Sequence, residues 1–220
     1  NEKAEINQLD FEIMDQIKNS PSVYKDYLAL YEKGFLGGIH LISKKGDELE
    51  DTLIPVDGIG FGSPCIFEDK DKVYISFITQ AGDLYVWNPQ GELLEGFPEN
   101  LEGVFFLNVK FVNGVLIALA EDGTLYKVGM DAQITQVKIP NLSAKSGYIT
   151  ITDYDEDKKD EIFLCGESNA IYGLSSDLEY LNAFPITGYG IPVFQDLNGD
   201  KKIDIISLAI DNKLNAWKLY

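Results

Sequence analysis

The chain has 220 residues, a hydrophobic fraction of 45% and a formal net charge of −18 at pH 7. A hydrophobic fraction this high predicts a packed core and excludes a disordered acidic tail. The excess of acid excludes nucleic acid as a partner, because that affinity comes chiefly from lysine and arginine. No stretch reaches the ~18 apolar residues that a membrane span needs, so no transmembrane segment is predicted.

The first residues of the chain show helical spacing of apolar side chains. Ser20 followed by Pro21 is typical of a helix N-terminus. We therefore expect a helical hairpin, with helices over about 5–18 and 22–33, in an N-terminal helical segment 1–36. Because the chain begins with asparagine, we also expect that a leader or a larger N-terminal portion has been removed. The spaced residues are Ile6, Leu9, Ile13 and Ile17 in the first helix and Tyr24, Leu28 and Tyr31 in the second.

A repeat of about 43 residues follows this segment. Four prolines after an apolar residue are spaced 43, 42 and 45 residues apart, and a hairpin pattern precedes each of them. From the second copy onwards, two further short strand patterns precede the hairpin. Four strands per repeat are typical of one blade of a β-propeller. The prolines are Pro55, Pro98, Pro140 and Pro185, and the hairpins begin at Gly37, Gly82, Gly123 and Asn169, with a fifth copy at Asn212.

The predicted fold class is therefore all-β, a β-propeller of four-stranded blades with four to five blade units and the N-terminal helical hairpin. Its first unit lacks two strands. Either residues 38–56 complete the terminal blade and give four blades, or the units are the last four to five of a seven- or eight-bladed ring. The propeller would span 37–220, with blade units at about 37–60, 61–103, 104–144, 145–190 and 191–220.

Two acidic loops lie at the same place in the last two units. Asp153, Asp155, Asp157 and Glu161 form one set, and Asp196, Asn198, Asp200 and Asp204 repeat it 43 residues later. Oxygens at positions 1, 3, 5 and 9 of a tight loop can converge on a hard cation such as Ca²⁺. An EF-hand is rejected because position 12 holds no glutamate and the flanks are strands. The alternative is a solvated turn in which Asp and Asn cap their own backbone. The registered repetition favours two calcium sites.

At these loops the chain resembles the FG-GAP or VCBS repeats of integrin-like β-propellers, whose loop D-x-D/N-x-D-G-x-x-D binds calcium. The segment ELLEGFP is similar to the G-[FW]-P punctuation of bacterial members. The resemblance covers about 38–220 and implies an extracytoplasmic location, either periplasmic, cell-surface or secreted. The chain departs from the pattern because Lys158 and Lys201 replace the loop glycine and Glu161 stands where aspartate is usual.

The remaining motifs are interpreted as parts of the fold and not as functional sites. The single histidine, His40, lies on an alternating pattern and is interpreted as a strand residue, and no catalytic residue or organic cofactor site is predicted. The glycine-rich stretch 58–63 precedes a strand and is interpreted as an inter-blade turn. Cys65 and Cys165 have apolar surroundings and are interpreted as free. Repeated aromatic residues in the hairpins are interpreted as inter-blade packing: Tyr85, Tyr126, Tyr172, Trp87 and Trp217.

The functional hypothesis is a non-catalytic, calcium-binding β-propeller that acts as a protein-interaction or surface scaffold module. A protein partner is favoured over a glycan because propeller faces are broad and no sugar-site pattern is present. One alternative is a propeller enzyme, either quinoprotein-like or active on polysaccharides. A second alternative is a fragment of a larger multidomain surface protein.

Overall fold

The computed structural model describes residues 16–17, 19–34, 37–45, 48–211 and 213–218. Regular structure in these ranges consists of antiparallel strands in five sheets. The first sheet contains β1 (Gln16–Ile17), β2 (Ser22–Tyr24), β3 (Tyr27–Lys33), β4 (Gly38–Lys45) and β5 (Glu48–Pro55). Both β1 and β2 pair with β3, so they share the position of the first strand of this sheet.

The next two sheets each have four strands in chain order. The second contains β6 (Cys65–Asp69), β7 (Lys72–Ile78), β8 (Asp83–Trp87) and β9 (Glu99–Asn100). The third contains β10 (Lys110–Val112), β11 (Val115–Leu119), β12 (Thr124–Gly129) and β13 (Ile134–Lys138). Two-residue turns follow β6 and β10. The strands that these turns join carry apolar residues on both faces, which is typical of strands packed between two layers.

The last two sheets each have three strands. The fourth contains β14 (Tyr148–Thr152), β15 (Glu161–Cys165) and β16 (Ile171–Leu174), and the fifth contains β17 (Tyr189–Gln195), β18 (Asp204–Leu208) and β19 (Leu214–Lys218). The first strands of successive sheets contact one another, as β2 with β6, β6 with β10, β10 with β14 and β14 with β17. Sheets that meet through their first strands are arranged as the blades of a propeller.

The predicted helical hairpin is wrong where it can be compared with the structure. Residues 22–33 form β2 and β3, joined by a two-residue turn in which Lys25 has a φ of 51°. Because β3 is buried on both faces, Ala29, Leu30 and Tyr31 are all buried. Such a continuous apolar run has no period of two and is easily mistaken for a helix. The helix over 5–18 lies outside the described residues except for 16–17, which form β1.

These strands also correct the interpretation of the first unit. The two strands thought to be missing lie within 16–33, and β4 pairs with β3 and β5. Residues 38–56 therefore complete the first sheet, and the four-bladed closure through the terminal blade is wrong.

The core consists of apolar layers between neighbouring sheets. The layer between the first and second sheets includes Tyr31, Ile39, Ile75 and Phe77, each no more than 3% exposed. Equivalent layers lie between each following pair of sheets. Each blade is therefore stabilised mainly by burying apolar surface against the next one.

The repeated tyrosines link each blade to the loop before it. Tyr85, Tyr126 and Tyr172 each donate a hydrogen bond from the hydroxyl group to a backbone carbonyl between two sheets. The interpretation as inter-blade packing is confirmed for these three residues. The acceptors are the carbonyl oxygens of Asp57, Glu102 and Pro140, at 3.1, 2.6 and 2.9 Å.

Replacing Tyr172 by phenylalanine is expected to lower the free energy of unfolding by about 0.5–1.5 kcal/mol, the net contribution of one hydrogen bond. The ring stays in its apolar layer, so only the bond to the Pro140 carbonyl is lost. Urea unfolding measures the change, and Tyr148→Phe, at a tyrosine that is 43% exposed, is the matched control. Equal effects of the two substitutions would contradict the assigned role of the hydroxyl group.

Candidate metal centre

The two acidic loops occupy equivalent places in the fourth and fifth sheets. Residues 153–160 connect β14 to β15, and residues 196–203 connect β17 to β18. The last predicted ligand of each loop, Glu161 or Asp204, is the first residue of the following strand. Each set of predicted ligands is therefore held between the first two strands of its blade.

Backbone amides organise the first loop around its carboxylates. Asp153 accepts hydrogen bonds from the amides of Asp157 at 3.1 Å and Lys158 at 2.9 Å. Asp155 also accepts from the amide of Asp157, at 3.2 Å, and Asp157 accepts from the amide of Lys159 at 2.8 Å. The turn is thus formed by the acidic side chains themselves.

The second loop repeats this pattern 43 residues later. Asp196 accepts a hydrogen bond from the amide of Lys201 at 2.8 Å, and Asn198 accepts one from the amide of Asp200 at 2.8 Å. Asp200 accepts one from the amide of Lys202 at 3.0 Å. The sequence repeat is therefore matched by a repeated pattern of hydrogen bonds, whereas the described acidic side chains of the second loop do not converge within 4.8 Å as those of the first loop do.

The ligand at position 9 of each loop lies beneath the loop and is buried. Glu161 is 5% exposed and Asp204 is 3% exposed. Glu161 accepts a hydrogen bond from the amide of Tyr154 at 3.1 Å, and Asp204 accepts one from the amide of Leu197 at 3.0 Å. These bonds aim a buried carboxylate at the inside of each loop.

Three of the four predicted ligands of the first loop come together. Carboxylate oxygens of Asp153, Asp155 and Glu161 all lie within 4.8 Å of one another. Asp157 lies nearby and uses one oxygen to accept the bond from Lys159. Oxygen atoms at this spacing can contact a single hard cation together.

Electrostatics differ between the two loops. Burial, together with the charges of Asp155, Asp157 and Asp153, raises the pKa of Glu161 to about 7. In the second loop, Lys218 donates a hydrogen bond to Asp200 at 3.0 Å and lowers the pKa of that carboxyl group. The first loop therefore concentrates uncompensated negative charge, whereas the second loop has an ammonium group at one of its predicted ligands.

The lysines that replace the loop glycine keep the geometry of a glycine. Lys158 has a φ of 72° and Lys201 a φ of 65°. Non-glycine residues adopt this left-handed region at a cost of about 1–2 kcal/mol each. The departure from the glycine pattern therefore leaves the loop conformation unchanged.

The corresponding turns of the second and third sheets are shorter. Asp69 faces Lys72 and Val112 faces Val115, so only two residues connect the strands in each case. A two-residue turn has no room for ligands at positions 1, 3, 5 and 9.

His40 lies on β4, as its interpretation as a strand residue predicted, but its partners were missed. Its Nε2 atom lies 2.7 Å from Glu32 and its Nδ1 atom lies 2.7 Å from Asp51. Burial alone would lower the pKa of His40, but its hydrogen bonds to these two carboxylates raise it above the ordinary value. The residues come from β3, β4 and β5, so only the strand register could have revealed the cluster.

Two smaller predictions are confirmed. Cys65 and Cys165 are both free, and Cys165 is buried. Residues 58–63 lie between β5 and β6, as expected of an inter-blade turn. In addition, the described ranges contain no helix that is long and apolar enough to cross a membrane.

Comparison with known proteins identifies the fold. No protein-family profile and no curated protein sequence matches the chain. BamB from Moraxella catarrhalis is similar over 94% of this chain and 60% of its own, with a TM-score of 0.57 and 11% identity. BBS1N in complex with ARL6DN is similar over 86% and 55%, with a TM-score of 0.59 and 11% identity. The WD40 β-propeller domain of Doa1 is similar over 92% and 65%, with a TM-score of 0.56 and 14% identity.

The chain thus has a β-propeller fold, and it spans a little over half to about two thirds of the length of these structures. Identities of 11–14% establish the fold alone.

Proposed function

We propose that the chain is a non-catalytic, calcium-binding β-propeller of the FG-GAP or VCBS type that acts as a protein-interaction or surface scaffold module. The observation that carries this proposal is the convergence of three carboxylates of the first loop within 4.8 Å, in a loop whose hydrogen-bond pattern is repeated 43 residues later. The proposed ligands are Asp153, Asp155, Asp157 and Glu161 in the first site and Asp196, Asn198, Asp200 and Asp204 in the second.

The donor set fits calcium. Every proposed ligand atom is a carboxylate or amide oxygen, which hard cations prefer, and no thiolate or imidazole takes part. The raised pKa of Glu161 supports the proposal, because burial and, to a smaller extent, the neighbouring carboxylates disfavour its charged form, a cost that a bound divalent cation would offset. Bound calcium would supply positive charge that holds the loop against the buried carboxylate at the start of the next strand.

The scaffold role is supported by the fold and by the surface charge. One of the similar propellers, BBS1N, is described in a complex with the protein ARL6DN. A net charge of −18 opposes nucleic acid, so a protein partner is proposed, with a glycan as the second choice. An extracytoplasmic location suits the proposal because extracellular calcium-binding modules have dissociation constants of about 10⁻⁴ to 10⁻³ M.

Calcium at about 1 mM is expected to add roughly 0.4–1.4 kcal/mol per site to the free energy of unfolding, by mass action. Asp155→Ala removes a ligand that accepts a backbone bond from the amide of Asp157, so it should abolish the increment of the first loop and leave that of the second loop nearly intact. Asp200→Ala should have the reverse effect. The stability increment of the first loop should be the larger of the two, because calcium at the second loop has to displace the ammonium group of Lys218 from Asp200.

Calorimetry of protein stripped with EDTA, with and without calcium, measures these increments. Glu95→Ala, which removes an exposed acid outside both loops, is the matched control and should leave the calcium response unchanged. Magnesium should substitute poorly because it demands a small octahedral site. The calcium proposal is wrong if neither a heat of binding nor a thermal shift appears.

A further inference from the structure

The two acidic loops differ in the side chain that the third strand of each sheet places beside them. In the fifth sheet, Lys218 on β19 faces Asp204, the buried ligand at position 9 of the second loop. The Nζ atom of Lys218 donates a hydrogen bond to Oδ2 of Asp200 at 3.0 Å. The other carboxylate oxygen of Asp200 accepts a hydrogen bond from the amide of Lys202, also at 3.0 Å. Both oxygen atoms of this predicted ligand therefore already accept hydrogen bonds.

The fourth sheet has a serine at the equivalent position. Ser175 directly follows β16 and lies 43 residues before Lys218, and the strands of the two sheets pair in the same register. The hydroxyl group of Ser175 accepts hydrogen bonds from two backbone amides of the following turn, both at 3.3 Å. Among the described residues, no lysine lies at ion-pair distance from Asp157, the counterpart of Asp200. The first loop therefore has no counterpart of the ammonium group of Lys218.

An ammonium group at a predicted ligand opposes the binding of a second cation. Calcium at Asp200 has to displace Lys218 or lie beside its positive charge, and either arrangement costs free energy. The side chains of Lys218 and Asp200 are 41% and 39% exposed, so water and salt screen this cost. The ammonium group therefore lowers the calcium affinity of the second loop to a moderate extent.

We propose that Lys218 sets the calcium affinity of the second loop, so that the first loop fills at a lower calcium concentration than the second. This inference rests on the proposed function, because it requires that both loops bind calcium. Lys218 acts through Asp200 and is not itself a ligand, since an ammonium group has no lone pair to offer a metal. The third strand of each blade, and not the loop alone, then determines the affinity.

Isothermal titration calorimetry with calcium chloride, in about 0.15 M salt, tests the proposal on the full chain with one loop inactivated at a time. In the Asp155→Ala variant, which keeps the second loop, adding Lys218→Ser should lower the calcium dissociation constant about three- to tenfold. Lys218→Arg keeps the charge and should leave the constant unchanged. Lys213→Ser removes an exposed ammonium group that pairs with Asp211 outside the loop, so it is the matched control.

The reciprocal exchange tests the same position beside the first loop. In the Asp200→Ala variant, which keeps the first loop, Ser175→Lys should raise the calcium dissociation constant about three- to tenfold. Ser175→Ala removes the hydroxyl group that accepts the two turn hydrogen bonds and adds no charge. It therefore separates the effect of the new ammonium group from the effect of the lost hydrogen bonds.

The outcomes separate this inference from the proposed function. A second loop that binds calcium more tightly, or only, after Lys218→Ser supports the inference. If the first loop binds calcium but Lys218→Ser affects the second loop no more than Lys213→Ser does, the inference is overturned and the calcium site of the first loop stands. If neither loop gives a heat of binding in any variant, the proposed function and the inference are overturned together.

Discussion

Replacing Phe163 by alanine is expected to lower the free energy of unfolding by about 3–5 kcal/mol, the usual cost of removing a buried aromatic ring. Phe163 is 0% exposed and lies on β15, in the layer between the fourth and fifth sheets. Its ring centroid lies 4.4 Å from that of Phe194, 5.5 Å from that of Phe184 and 5.6 Å from that of Tyr154. The cavity left behind would remove contacts from three elements at once.

Urea unfolding followed by circular dichroism measures this loss. Phe61→Ala is the matched control, because Phe61 is 41% exposed and should cost less than about 1 kcal/mol. Tyr154 belongs to the first acidic loop, so Phe163→Ala should also weaken the calcium response of that loop. A loss below about 1 kcal/mol for Phe163→Ala would show that the fifth sheet does not pack on the fourth as described.

Replacing His40 by leucine is expected to cost about 3 kcal/mol at pH 6, because it leaves the buried Glu32 without its cationic partner. Hydrogen bonds to Glu32 and Asp51 raise the pKa of His40 above 6.5, so its ion pairs form fully below that pH in the folded state. Their contribution is lost as the pH rises through the raised pKa. The difference in stability between wild type and variant should therefore shrink from pH 6 to pH 9.

Urea unfolding of both proteins across this pH range makes the comparison. Taking the difference cancels the titration of groups that do not contact His40, including Glu161. Tyr148→Leu, at an exposed strand residue without a charged partner among the described residues, should give a difference that does not vary with pH. A constant difference for His40→Leu would mean that the histidine is neutral in its pair with Glu32 and Asp51.

Much of the propeller could be predicted from the sequence because its determinants are local and repeated. The alternation of apolar residues in β6 to β19, the turns between strands and the period of 43 residues are all properties of short segments. The tyrosines at 85, 126 and 172 could be placed between blades for the same reason, because equivalent positions in successive repeats have the same structural role. The two acidic loops were likewise visible because their ligands lie within nine residues of one another.

The tertiary structure decided what depended on burial and on strand register. Residues 22–33 were expected to be helical because the middle of β3 is buried on both faces, which makes its apolar run continuous. The contacts of His40 with Glu32 and Asp51 depend on the pairing of three strands. The exposure of Leu214 could not be predicted, because Leu214 and buried Leu84 hold the same place in their hairpins. Whether such a position is covered by another sheet depends on residues that are distant in the sequence. The local sequence therefore does not predict its burial.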